Sequence, residues 1–415
     1  MTNLQQTDSA IFDALAGESK RQMEGIELIP SENYVSPAVL EALGSIFTNK
    51  YSEGYPGKRY YGGQKYTDII ETLAIERAKQ LFGAEHANVQ PYSGSPGNTA
   101  VYFALLNYGD TVMGLKLDHG GHITHGLPIS FSGKSYKFIP YEVDAKTLKL
   151  DYDKIRTMAL EHKPKMIVAG YTAYPPEIDW KKFREICDEV GAIAFADISH
   201  TAGLIAGKAL HNPVPYFDVV MTTTHKTLRG PRGAIIMCKK QYAAAIDKAV
   251  FPGLQGGPHE NAIAAKAVAF QEALQPSFQE YAKQIIVNAK ALAAELKDNY
   301  GFSLVSGGTE THLILADLTN KNIPGKEAQA VLDEVGITLN KNTVPFDTRS
   351  PFDPSGIRFG TPAVTTRGFK EPEMKLIAKW MNDVISNPKD EATLKRVKAE
   401  VTETCLKFPV PGIKV

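Results

Sequence analysis

Cysteine is scarce in this chain: Cys187, Cys238 and Cys405 are the only three in 415 residues. They are odd in number and far apart, which excludes a disulfide framework and a paired-thiol metal site. A reducing compartment fits that usage. An excess of charge of either sign is also lacking. Lys plus Arg and Asp plus Glu both number 46, so nothing marks a dedicated nucleic-acid binder or a polybasic membrane surface. No apolar run is long enough to span a bilayer. Met1 to Ser9 carries neither the basic nor the apolar stretch of a secretory signal. Repeats and low-complexity tracts are missing as well. The expectation is a cytoplasmic protein whose length allows two or three domains.

What is present is an alternation of short apolar strands with helical stretches. Candidate strands are 87–90, 111–115, 137–140, 166–170, 193–197, 219–223 and 234–238. Several are apolar at consecutive positions, as strands covered on both faces require. Trp180 to Val190 has helical periodicity. The pattern predicts an α/β layer fold with a mostly parallel central sheet. Residues 261–297 read as strongly helical, leading to a smaller C-terminal α+β domain with strands at 302–305 and 313–317 and helices at 325–335 and 371–387. Residues 51–63, rich in Tyr and Gly, read as an irregular segment with exposed aromatics, of the kind that reaches a partner or an active site.

The chemistry gathers at strand ends. Thr222-Thr223-Thr224-His225-Lys226 follows an apolar strand and sets an amine among hydroxyls and an imidazole. Such a lysine can be kept partly neutral and can form a Schiff base with a carbonyl. The strand 193–197 ends in Asp197. A lysine for the aldehyde and an acid for the pyridine nitrogen are what pyridoxal phosphate requires. Ser93-Gly94-Ser95, before a helical run, offers N–H groups and hydroxyls to an anion; alone it reads equally well as an N-capping turn. Gly133-Lys134-Ser135 mimics a nucleotide-binding loop but lacks its first glycine, since position 128 is Pro128. His119, His122 and His125 are spaced by three in a stretch too glycine-rich for a firm helix face. The expectation is no metal, with one imidazole stacked on a planar cofactor. Arg358 suits an amino-acid carboxylate, and Glu53 suits general acid–base work.

Taken together, these segments resemble the serine hydroxymethyltransferase family, from Leu28-Ile-Pro-Ser-Glu-Asn33 to Gly360-Thr-Pro-Ala-Val-Thr-Thr-Arg-Gly368. The most specific stretches are residues 51–63, 118–126, 197–200 and 222–233. The resemblance implies an aspartate-aminotransferase-like fold type I: an N-terminal arm and dimerisation segment at 1–80, a large cofactor-binding domain with a seven-stranded sheet at 81–275, and a small domain at 276–415. It also implies roles. Lys226 would be the Schiff-base lysine, Asp197 would pair with the pyridinium nitrogen, His200 would contact the ring oxygen, and His122 would stack on the ring. Thr172 stands where a serine is usual and preserves a hydroxyl. Ser93, Gly94, Ser95 and His225 would hold the phosphate, joined by Tyr51 and Gly257 from the other subunit of a homodimer. Glu53 and Tyr61, also from that subunit, would face the substrate, and Arg358 would bind its carboxylate. Tyr60, Leu117, Gly121, Ile123 and Asn342 would line a tetrahydrofolate site. Tyr92 stands where many bacterial members have His, and His259-Glu260-Asn261 is locally uncommon. The implied reaction moves the hydroxymethyl group of L-serine to tetrahydrofolate, giving glycine. The rivals are a folate-independent threonine or β-hydroxy amino-acid aldolase and a non-catalytic cofactor-bearing protein.

Overall fold

The computed structural model describes residues 2–413. Its centre is a seven-stranded sheet in the order His86–Asn88, Ala234–Cys238, Val219–Thr223, Ile193–Asp197, Met166–Gly170, Thr111–Leu115, Lys137–Tyr141. Ala234–Cys238 runs antiparallel to both its neighbours; the remaining pairings are parallel. Parallel strands need crossover helices, and helices on both faces leave no polar side to the sheet. Hence the consecutive apolar runs. Side chains still alternate, so each strand feeds two cores. Ile167, Ala169, Ala194, Ala196 and Val220 enter one core. Met166, Val168, Phe195, Val219 and Met221 enter the other.

Beyond this layer lies an antiparallel sheet of Ser303–Leu304, Leu313–Asp317, Gly356–Gly360 and Asn340–Asn342. It shares a separate apolar core with the helices Gly325–Glu334 and Glu371–Ser386. The N-terminal segment also belongs here: Ile26–Glu27 pairs in parallel with Ile337–Thr338. Between the two layers, the helical stretch expected at 261–297 is broken. Glu260–Ala273 and Pro276–Ala294 are separate helices. Pro276 supplies no N–H and disfavours helical backbone at Gln275, which is extended.

Residues 51–63 form a small hairpin, Gly54–Tyr55 against Lys58–Arg59, with irregular flanks. Tyr51, Tyr60 and Tyr61 stay exposed. Arg59 anchors the hairpin from below, donating to Asp68, Glu71 and the carbonyls of Ser52 and Gly54.

One close approach sets the floor of the site. Gly203 donates its N–H to Thr227 Oγ1 at 2.9 Å, and Thr227 Oγ1 donates to the His200 carbonyl at 2.9 Å. A methyl group at Gly203 would overlap the Thr227 carbonyl oxygen. Gly203→Ala is therefore expected to destabilise the protein by roughly 1–3 kcal/mol through overpacking, read in denaturant melts. An unchanged midpoint would show that the backbone at Thr227 yields freely.

Candidate active site

The carboxyl ends of the central strands open into a cavity of about 450 Å³. Ser93, Gly94, Ser95, His122, Thr172, His200, His225, Lys226 and Arg358 all line it, as do Ser31, Glu32, Thr223 and Arg232. Crevices at strand carboxyl ends are where open α/β sheets bind ligands.

Lys226 emerges from the turn after Val219–Thr223. That turn is pinned at several points: Asn33 Nδ2 donates to the Lys226 carbonyl at 2.9 Å, Gly230 N–H to Thr224 O at 2.7 Å, and Thr224 Oγ1 to Pro231 O at 2.6 Å. The amine stands at the cavity wall, dense enough in protein that burial lowers its pKa from 10.5 to about 8. Asp197 opposes the shift, and Arg358 and Arg232 add to it.

Asp197 lies behind the cavity. Ser199 donates to its Oδ1 through N–H (3.1 Å) and hydroxyl (2.6 Å), and Asn98 Nδ2 donates to Oδ2 at 2.8 Å. His125 Nε2 is 3.2 Å from the same Oδ2. Burial pushes this carboxyl up. The hydrogen bond and charge of His125, then His122 and the Ser199 hydroxyl, more than offset it and hold the group far below the usual carboxylate range.

The three histidines spaced by three thus part company. His119 is buried elsewhere and accepts the Val143 N–H at 3.3 Å. His122 lines the cavity, with Nδ1 2.7 Å from Thr124 Oγ1. His125 serves Asp197. Ligand atoms of His122, His125 and Asp197 lie within 4.8 Å of one another, but these hydrogen bonds already engage all three side chains.

On the other wall, His200 Nδ1 is 3.2 Å from His312 Nε2 and the two rings stack. Burial, with Arg358 and Lys226 nearby, pushes His312 down to about 3. Arg358 sits on the Gly356–Gly360 strand; Nε donates to Asn340 Oδ1 at 3.0 Å and Nη1 to the Thr172 carbonyl at 2.7 Å. Burial alone lowers this guanidinium to about 10. No carboxylate among the described residues pairs with it, so it is a buried cation oriented for an anion.

The Ser93–Ser95 turn opens the helix Gly94–Leu105, and the Ser93 side chain makes no capping bond. Gly94 is required by space, since a Cβ there would meet Thr223 Cγ2 at 2.7 Å. His225 Nδ1 and Thr172 Oγ1 are buried without partners. Free hydroxyls, helix N–H groups, a buried amine whose pKa is lowered to about 8 and orphaned polar atoms fit an anionic, aldehyde-bearing cofactor.

A second group stands apart. Tyr51, Glu53, Tyr60, Tyr61 and Gly257 do not line this cavity. Tyr51 Oη donates to Glu53 Oε1 at 3.3 Å, and Tyr51 packs edge-on to Tyr61. Of the remaining expected residues, Gly121 sits in a tight loop where a Cβ would overlap the Leu115 carbonyl. Leu117 and Ile123 are exposed beside that loop. Asn342 donates to the Thr343 carbonyl on the smaller sheet.

Sequence reasoning singled out none of Asn98, His125, Arg232, His312 and Asn340 individually. His125 was within reach as the third of the spaced histidines, and Arg232 lies inside the 222–233 stretch. Asn98 lies one helical turn beyond Gly94. Nothing local marks His312 or Asn340.

Sheet order, cavity position and the paired lysine and aspartate define an α/β enzyme scaffold of the aspartate-aminotransferase-like fold type I. A family model described as serine hydroxymethyltransferase matches residues 4–381. The chain belongs to that family. It is 58% identical over 414 residues to a serine hydroxymethyltransferase of Desulfotalea psychrophila, covering 100% of this chain and 97% of that one. It is 56% identical over 408 residues to one of Koribacter versatilis, covering 98% and 96%.

The lowered pKa of Lys226 has a sign that can be read. Below about pH 8 the amine is charged in folded and unfolded chains alike, and folding bears the full cost of burying it. Between about 8 and 10.5 the folded chain sheds the proton first and the cost fades. In cofactor-free protein, Lys226→Met is expected to stabilise by ~1–3 kcal/mol near neutral pH, allowing for partial solvent access. The gain should shrink steadily as pH rises through that window. A gain independent of pH, measured by melts across the range, would contradict it.

Proposed function

We propose that this chain transfers the hydroxymethyl group of L-serine to tetrahydrofolate, giving glycine and 5,10-methylenetetrahydrofolate, with pyridoxal 5′-phosphate carried on Lys226. The observation that carries the reading is the pairing, in one cavity, of a lysine lowered to about 8 with a buried arginine that no acid among the described residues neutralises. Family membership and the names of both relatives point the same way.

Lys226 offers an amine that reaches its nucleophilic form near pH 8, well below the usual lysine range. Ser93, Gly94, Ser95 and His225 hold the phosphate against the helix N-terminus. Asp197, kept ionised, favours a proton on the ring nitrogen; His122 covers the ring, and His200 and Thr172 hold its polar edge. Bound there, the cofactor supplies an aldehyde for the amino acid and an electron sink for the bonds at Cα. Arg358 grips the substrate carboxylate with its remaining N–H groups, oriented by Asn340 and Thr172. Ser31 and Glu32 complete the cavity rim.

The second group of residues finds its use in a homodimer. Tyr51 and Gly257 reach the phosphate of the other subunit, and Glu53 and Tyr61 face its substrate, with Glu53 moving protons at the hydroxymethyl group or the folate. Exposed apolar side chains crowd this part of the chain, among them Ile46, Tyr60, Tyr66 and Ile69, a surface that pairing would cover. The arm at 1–80 supplies that contact. Tyr60, Leu117, Gly121, Ile123 and Asn342 line the tetrahydrofolate site. No helix among the described residues is long and apolar enough to cross a membrane.

Arg358→Lys keeps the charge but loses the planar fork. Serine affinity is expected to fall roughly 100-fold while cofactor loading survives; a titration showing unchanged serine binding would sink the assignment. The shared site has its own test. Lys226→Ala and Glu53→Gln homodimers should each be nearly inactive, and mixing them should restore one native site per heterodimer. Verified heterodimers with no gain would place Glu53 at the site of its own chain.

A further inference from the structure

Tyr92 comes immediately before the Ser93–Ser95 turn, yet its side chain leaves the cavity. Its hydroxyl donates to the Gly257 carbonyl at 2.8 Å and its N–H to Gln255 Oε1 at 3.1 Å. Gln255 Nε2 returns a bond to the Gln90 carbonyl at 3.0 Å. The Tyr92 ring lies flat on the His259 imidazole, with centroids 4.3 Å apart and planes 8° from parallel. Tyr92 and His259 are also two positions where this chain departs from the family pattern read in its sequence, and they meet each other.

The same Gln255–Glu260 strap touches the second group of residues on its other side. A Cβ on Gly257 would stand 3.1 Å from Tyr51 Cζ, and one on Gly256 3.1 Å from Glu53 Oε1. Ser52 Oγ donates to Glu260 Oε1 at 2.5 Å. Side chains of this kind leave little slack, because packed interiors transmit displacement rather than absorb it. The strap therefore joins, inside one chain, the phosphate turn of its own cavity to the residues that complete the other subunit's cavity.

We propose that Tyr92 is a positioning residue that couples the two active sites of the dimer, fastening the phosphate turn of one to the Gly257 strap of the other. The proposal rests on the shared-site reading above and extends it. Two affinity tags would isolate heterodimers in which one subunit carries Lys226→Ala, so that a single Lys226 remains. Tyr92→Phe, which keeps the ring and removes the hydroxyl, is then placed either in the Lys226-bearing subunit or in its partner. Pyridoxal phosphate is titrated, and the fraction fixed to Lys226 by borohydride gives the affinity of that one site. Coupling requires a weakening of roughly 3- to 10-fold with the substitution in either subunit. A change in one placement only, or in neither, overturns it. His259→Leu removes the stack but keeps the hydroxyl and should show the same two-sided effect; it carries the comparison if Tyr92→Phe dimers fail to assemble. The mixed Lys226→Ala and Glu53→Gln dimer is the control. No gain there overturns the shared site and the coupling with it, whereas a gain there with a one-sided Tyr92 effect overturns the coupling alone.

Discussion

Asp197 keeps its charge beneath the cavity because four hydrogen-bond donors or cations converge on it from three parts of the chain. Asn98 comes from the helix that opens at the Ser93–Ser95 turn, His125 from the glycine-rich loop, and Ser199 from the turn after its own strand. An ionised carboxylate so deep in protein would otherwise take up a proton. Meeting its needs fixes the helix, the loop and the turn relative to one another. Ser93 and Ser95 begin that helix, His122 sits three residues before His125, and His200 follows Ser199. The positions of Ser93, Ser95, His122 and His200 are thus tied to satisfying one charge.

Arg358 presents the opposite case. Its guanidinium is oriented by Asn340 and the Thr172 carbonyl, neither of which is charged. Held this way, the cation is directed without being neutralised. The left-over N–H groups keep their full appetite for an anion, and the planar fork selects a carboxylate over a spherical ion. Together the two residues polarise the pocket, negative behind it and positive on its far wall.

The central sheet was legible in the sequence because strands buried on both faces must be apolar throughout, whatever else they do. Met166–Gly170, Ile193–Asp197, Val219–Thr223 and Ala234–Cys238 begin and end where the composition says. The lysine and aspartate at strand ends were legible for a related reason: a polar group directly after such a run lands at the sheet's edge, facing a crevice. The break at Pro276 follows from proline chemistry, although the alanine-rich run around it reads as one helix. His312 and Asn340 could not be read. Their contacts with His200 and Arg358 span 112 and 18 residues, and no local pattern encodes which histidine will meet which. The histidine triplet shows the same limit: equal spacing on an irregular loop does not say that His119 will turn away while His122 and His125 stay together.

A buried guanidinium without an acid and a buried amine near its titration point both raise the free energy of the empty fold relative to the filled one. Ligands that bind only the folded chain recover that difference by mass action. Proteases that act on transiently open molecules sample the gap. A copy that binds such ligands therefore opens less often, and is cut less often, than one that binds none.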